Sequence, residues 1–120
     1  MRTKESEEMY LETILLLRER IPSLHAIDIV EKLDYAKSSV SHALKLLKQN
    51  GYISIDENGE ILLTETGRRK AEMIYERHRV LTELLMRIGV DEAVAEENAC
   101  RIEHVITEEL FEKIKMYMKK

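Results

Sequence analysis

The sequence predicts a mainly α chain in which a first helix, a helix-turn-helix and a short β-hairpin wing are followed by three further helices. Apolar residues recur at the 3.6-residue helical period over most of the 120 positions. Two short helical stretches, ending near Leu33 and starting near Lys37, stand at helix-turn-helix spacing. Between two β-type runs lies Asn58-Gly59, the strongest short-range hairpin signal, because both residues of such a turn must accept positive φ.

The first helix is expected over residues 5–20, with Met9, Thr13, Leu16 and Leu17 on one face and Leu11, Ile14 and Leu15 widening it, until Pro22 stops it. Ser23 is an N-cap candidate for a short helix to Leu33 with Ala26, Ile29, Val30 and Leu33 inward. Asp34-Tyr35-Ala36 forms a turn. A third helix follows from Lys37 to Asn50 with Val40, Ala43, Leu44 and Leu47 buried, and Gly51 sits where a helix end wants positive φ. Residues 52–56 and 60–64 are the strands of the wing, with Glu57-Asn58-Gly59 between them. Thr64 or Thr66 caps a long helix to Ile88, closed by Gly89; Asp91 caps a helix to Val105; and Thr107 begins the last. The reading divides the chain at 70/71, a winged helix-turn-helix DNA-binding domain over 1–70 and a helical domain over 71–120.

Composition excludes several classes. Hydrophobic residues at 44% and charged residues at 35%, with one proline and four glycines, fit a globular helical protein rather than a disordered or collagenous one. No apolar run reaches the roughly 18 residues a membrane span needs. The start lacks a secretory apolar segment, so a cytoplasmic protein without a membrane partner is expected. The single cysteine, Cys100, rules out an internal disulfide. A net charge of −4 argues at face value against nucleic acid, but the acid gathers at the two ends and leaves residues 21–80 balanced.

On the third helix, Lys37, Ser38, Ser39, Ser41, His42, Lys45 and Lys48 lie outside the apolar stripe. Serines and a histidine near the N-terminal end suit base edges and phosphates, lysines neutralise the backbone, and the helix N-terminus favours an anion. Helix, turn, helix and wing in sequence make double-stranded DNA the expected partner. Further on, Cys100, Glu103 and His104 stand at i, i+3 and i+4, on one face of a helix. Thiolate, carboxylate and imidazole together suit a borderline-soft transition metal rather than calcium or magnesium. Met9, Glu12 and His78 are further donor candidates. The same residues also accommodate Cys100 and Met9 as core and Glu103-His104 as a surface pair, so spacing alone leaves both readings open.

These residues resemble the DtxR/MntR family of iron- and manganese-dependent repressors. The matching stretches are Glu8-Met9-Tyr10-Leu11-Glu12, Lys37-Ser38-Ser39-Val40-Ser41, Leu63-Thr64-Glu65-Thr66-Gly67 and Ala99-Cys100-Arg101-Ile102-Glu103-His104. The resemblance implies a metal-binding and dimerisation role for the second, helical domain. Its main metal site in the iron branch falls here on Met9, Cys100, Glu103 and His104, whereas the manganese branch has carboxylates at the positions of Met9 and Cys100. Glu12 matches a ligand of the manganese branch. The iron branch's second site is matched by His78, with Thr82 and Glu96 standing where it has a glutamate and a histidine, and the additional C-terminal domain of that branch has no counterpart before Lys120. The implied cofactor is Fe(II), then Mn(II), with zinc, cobalt or nickel taken up in vitro. The implied partners are a palindromic operator and a second copy, joined through helices carrying Ile74, Leu81, Leu84, Leu85, Ile88, Val105, Ile106, Leu110, Ile114 and Met118.

Such a chain is expected to repress metal-uptake genes, with metal binding tying the first helix to the dimerisation helices and favouring the DNA-competent arrangement. No catalytic motif points to an enzyme. The alternatives are a winged-helix regulator that senses oxidation through Cys100 or one that answers to a small organic ligand.

Overall fold

The computed structural model describes residues 4–120, and the expected start of the first domain at residue 1 lies outside them. The order is α1 (Lys4–Arg20), α2 (Ala26–Leu33), α3 (Lys37–Gln49), β1 (Ile53–Ile55), β2 (Ile61–Leu63), α4 (Glu65–Arg87), α5 (Glu92–Ile102) and α6 (Glu108–Met118). The fold class is as the sequence predicts, mainly α with a winged helix-turn-helix. The chain divides into two units, Met1–Glu72 and Met73–Lys120, with the boundary inside α4.

In the first unit, Tyr10, Leu11, Ile14, Leu24, Ile29, Val40, Ala43, Leu44, Leu47, Ile53, Ile61 and Ala71 form one apolar core. The α3 stripe is buried as its period requires. On α1 the buried face is centred on Leu11 and Ile14, and the expected stripe of Met9, Thr13, Leu16 and Leu17 is only partly buried.

Caps and turns fix the ends of these elements. At α2 the N-cap is His25, not Ser23: Asp28 accepts from the His25 backbone N–H at 2.9 Å, which anchors the helix start two residues later than expected. Asp34 ends α2 in the left-handed conformation, φ +57°, with its N–H on the Val30 carbonyl at 2.8 Å. The wing pairs Ile53 with Leu63, Ser54 with Leu62 and Ile55 with Ile61. Its turn differs from a two-residue hairpin, since Gly59 adopts φ +84° but Asn58 does not adopt positive φ. Asp56 Oδ1 instead accepts from the N–H groups of Asn58 and Glu60, both at 2.9 Å, and so closes a longer loop. Thr64 caps α4 through its hydroxyl, which accepts from Gly67 N–H at 3.0 Å. A β-carbon at position 67 would clash with the Tyr52 carbonyl oxygen, so the backbones of α4 and the chain entering β1 approach as closely as only glycine permits.

In the second unit, Ile74 and Leu81 of α4, Ala95 and Ala99 of α5 and Phe111 of α6 are buried. Thr107 caps α6, accepting from Leu110 N–H at 3.1 Å. The helix expected to reach Val105 stops at Ile102, with Glu103 as its C-cap. The last turn tightens there: Val105 N–H bonds to the Ile102 carbonyl at 3.1 Å, an i→i−3 step that α-helix does not continue.

Candidate DNA-reading face and metal centre

α3 begins at Ala36 without a side-chain cap, and a helix N-terminus favours an anion. Lys37, Ser38, Ser39, Ser41, His42, Lys45 and Lys48 are all exposed, while Val40, Ala43, Leu44 and Leu47 hold the opposite side in the core. One continuous polar face results, hydroxyl-rich at the N-terminal end and cationic toward the C-terminal end. The wing is fixed to the same unit. Ile61 N–H bonds to the Leu24 carbonyl at 2.8 Å, Arg18 donates to the Ile61 carbonyl at 2.9 Å and to Glu60 Oε2 at 3.2 Å, and His25 Nε2 stands 3.2 Å from the Asn58 carbonyl. Lys70 braces the unit further with 2.8 Å to Glu7 and 3.2 Å to the Tyr52 hydroxyl. Partial burial opposes its charge, but the bonds to Glu7 and Tyr52 outweigh that and raise its pKa.

The second unit holds a cluster of donors. Glu103 is fully buried, at 0% exposure, and its Oε1 lies 3.4 Å from His78 Nδ1 on α4 and 3.7 Å from His104 Nε2. Neither Glu103 oxygen has a hydrogen-bond partner among the described residues. A buried carboxylate without hydrogen bonds carries a desolvation cost of several kcal/mol, which a cation close by would offset. Two imidazole nitrogens and a carboxylate facing one another are donors of the kind a first-row transition ion takes. The residues present therefore fit a divalent transition metal.

The structure brings together His78, Glu103 and His104 among the expected ligands. Cys100 and Glu96 are exposed on α5, and Thr82 turns its hydroxyl back to the His78 carbonyl at 2.7 Å. In the first unit, Met9 is partly buried with its sulfur accepting from the Tyr35 hydroxyl at 3.7 Å, and Glu12 is buried at 8% exposure. Because α5 ends at Ile102, Glu103 and His104 stand at the helix end and in the following turn rather than on a continuous helix.

Arg77 is a residue of this region that the sequence reading passed over. It is 7% exposed and donates to the carbonyls of Glu103, at 3.1 Å, and Ile106, at 3.0 Å, and to Glu108 at 2.9 Å. That bond from Arg77 lowers the Glu108 pKa, outweighing the opposing effect of desolvation. A signal was present: Ile74, Arg77 and Leu81 lie at i, i+3 and i+7, so an arginine occupies a core position of an amphipathic helix.

A helix-turn-helix with its wing in one unit and a cluster of carboxylate and imidazole donors in the other suit a metal-responsive DNA-binding transcriptional regulator. Residues 2–60 match the N-terminal DNA-binding domain of iron-dependent repressors, and residues 64–120 match their metal-binding and dimerisation domain. The chain belongs to the iron-dependent repressor family. It is similar to an uncharacterised HTH-type transcriptional regulator of Methanocaldococcus jannaschii, 32% identical over 97% of this chain and 94% of that protein. It is 31% identical to the diphtheria toxin repressor of Corynebacterium diphtheriae over 88% of this chain, and it spans only 47% of that repressor. Among solved structures, IdeR of T. acidophilum superposes with a TM-score of 0.82 at 28% identity, covering 100% of this chain and 56% of that one. A manganese-dependent transcriptional repressor in complex with manganese shares the fold, with a TM-score of 0.86 at 23% identity over 94% of this chain and 52% of that one.

Proposed function

We propose that this protein represses genes of metal uptake when Fe(II), or next in order Mn(II), occupies donors centred on Glu103, and that it does so in the cytoplasm as a homodimer on a palindromic operator. The observation that carries the reading is the fully buried Glu103 carboxylate, without hydrogen bonds and faced by His78 and His104. A bound divalent ion supplies there the positive charge that the buried carboxylate calls for. The family resemblance adds Cys100, Met9 and Glu12 to the ligand set, and Glu96 to a second site with His78. Exposed apolar side chains of the second unit support the homodimer: Ile88 at 70%, Val105 at 59% and Leu110 at 47%, with Met116 and Tyr117 above 60%. A two-fold pair would present two α3 helices to two half-sites.

On DNA, Ser38, Ser39, Ser41 and His42 meet base edges, Lys37, Lys45 and Lys48 neutralise phosphates, and the uncapped N–H groups of α3 receive a phosphate oxygen. Metal shifts the protein toward its DNA-competent state by the difference in its affinity for the two states and by nothing more. Zinc, cobalt and nickel are expected to substitute in vitro.

The test is DNA retention by the full chain on a duplex selected from a random-sequence pool, in chelator and in excess Fe²⁺ or Mn²⁺. Tighter binding with metal, lost in Glu103→Gln, is expected; equal affinity in both conditions contradicts the reading. Metal choice is read from the Met9→Asp, Cys100→Glu double variant, in which hard oxygen replaces soft sulfur and activation shifts toward Mn²⁺. A second reading, oxidation sensing through Cys100, is favoured by the exposure of that thiol. Its neighbour Arg101 is already paired with Glu97 at 3.1 Å, which weakens the case for an activated thiolate. Peroxide-sensitive, chelator-indifferent DNA binding distinguishes it.

A further inference from the structure

We infer that Arg77 is the positioning residue of the metal centre, fixing the turn that presents Glu103 and His104 and thereby setting the affinity and geometry with which they take a metal. The inference rests on the proposed role of those two residues as ligands.

Once α5 ends at Ile102, the backbone of residues 103–107 lacks the repeating bonds that would hold it. Helix ends leave carbonyls without intrahelical partners, and these need donors from elsewhere. Arg77 supplies them. Its Nη1 reaches the Glu103 carbonyl at 3.1 Å and the Ile106 carbonyl at 3.0 Å, so a single nitrogen spans the turn that contains His104. Its Nη2 reaches Glu108 Oε2 at 2.9 Å, at the start of α6. The guanidinium carbon lies 5.3 Å from the centre of the Phe111 ring, so the fork is held over an aromatic face from α6 as well. Guanidinium is planar and rigid, so these contacts prescribe one orientation of the turn; a lysine ammonium is a single point that cannot reproduce the fork.

The location on α4 matters equally. Arg77 directly precedes His78, whose Nδ1 faces the Glu103 carboxylate at 3.4 Å. Adjacent residues of one helix therefore grip Glu103 at both ends, Arg77 by its carbonyl and His78 opposite its side chain. Loosening Arg77 frees the Glu103 backbone to shift while every ligand remains in place. Outer contacts of this kind tune metal sites by about 10–100-fold in affinity.

The experiment titrates the full chain with Co²⁺ alone, following its visible ligand-field absorption, for the wild type and the Arg77→Met, Arg77→Lys and Glu103→Gln variants. Expected are loss of the cobalt spectrum in Glu103→Gln, a 10–100-fold weaker affinity in Arg77→Met with displaced bands even at saturation, and partial rescue in Arg77→Lys. Displaced bands at saturation separate positioning from mere support of the fold, which lowers the melting temperature and leaves the saturated spectrum alone. Wild-type affinity and spectrum in both Arg77 variants overturn the inference. An unchanged spectrum in Glu103→Gln overturns the ligand assignment itself, whatever Arg77 does. Arg77→Lys keeps the charge over Phe111, and it decides the matter should Arg77→Met fail to fold.

Discussion

The two units of this protein bury different chemistry. Met1–Glu72 closes on apolar side chains, chiefly from α1, α2, α3 and the wing, its buried carboxylates Glu8 and Glu12 both lying on α1. Met73–Lys120 buries few large apolar groups, chiefly Ile74, Leu81 and Phe111, and places among its buried residues the guanidinium of Arg77 and the carboxylate of Glu103. Apolar burial stabilises without any bound partner, whereas a buried charge stabilises only when its partner is present. The first unit is thus held mainly by apolar packing, whereas the second carries in Glu103 a buried carboxylate without a hydrogen bond among the described residues.

The largest effect of a single substitution is expected in the core of the first unit. Leu47 is 2% exposed within it, and Leu47→Ala is expected to cost about 2–5 kcal/mol in chemical denaturation with or without metal. A loss that vanishes on adding metal would mean that the two units do not differ in this way. In the second unit, Fe²⁺ or Mn²⁺ at about 100 times its dissociation constant should add about 2.7 kcal/mol of stability to the wild type. Glu103→Gln should abolish that gain while costing the metal-free protein no more than about 1 kcal/mol, since the carboxylate has no hydrogen bonds to lose. A metal-dependent melting shift that survives in Glu103→Gln would remove Glu103 from the centre.

Smaller effects sharpen the reading of α3. Lys45→Ala and Lys48→Ala should weaken binding to all duplexes alike, each lowering the slope of log affinity against log salt by about 1. Ser39→Ala and His42→Ala should instead relax sequence preference and leave that slope in place. If both pairs of variants alter specificity equally, the division of the face into base-reading and phosphate-binding parts is wrong.

What the sequence made legible follows the same division. The α3 stripe could be read directly because amphipathic periodicity reports which side of a helix meets the core, and Gly51 and Gly89 take the positive φ expected of helix ends. The wing was visible from Asn58-Gly59, but its turn chemistry was not, because Asp56 rather than Asn58 organises the loop. His25 displaced Ser23 as the cap of α2 because Asp28, three residues on, reaches back to its N–H. The donor cluster was only half legible. Spacing brought Glu103 and His104 together, but it could not show that α5 ends beneath them or that Arg77 holds that end. Those contacts join residues 26–31 positions apart, beyond the reach of any local pattern.

Occupancy of the donors around Glu103 and binding of DNA by α3 are expected to be thermodynamically coupled. Linkage requires each ligand to raise the affinity of the other by the same factor. The direct measurement is the affinity of the full chain for Mn²⁺, by calorimetry, with the protein free and then saturated with the selected duplex. Tighter Mn²⁺ binding to the DNA complex is expected, by the factor through which Mn²⁺ tightens DNA binding; the same Mn²⁺ affinity in both states would show that the two sites are not coupled.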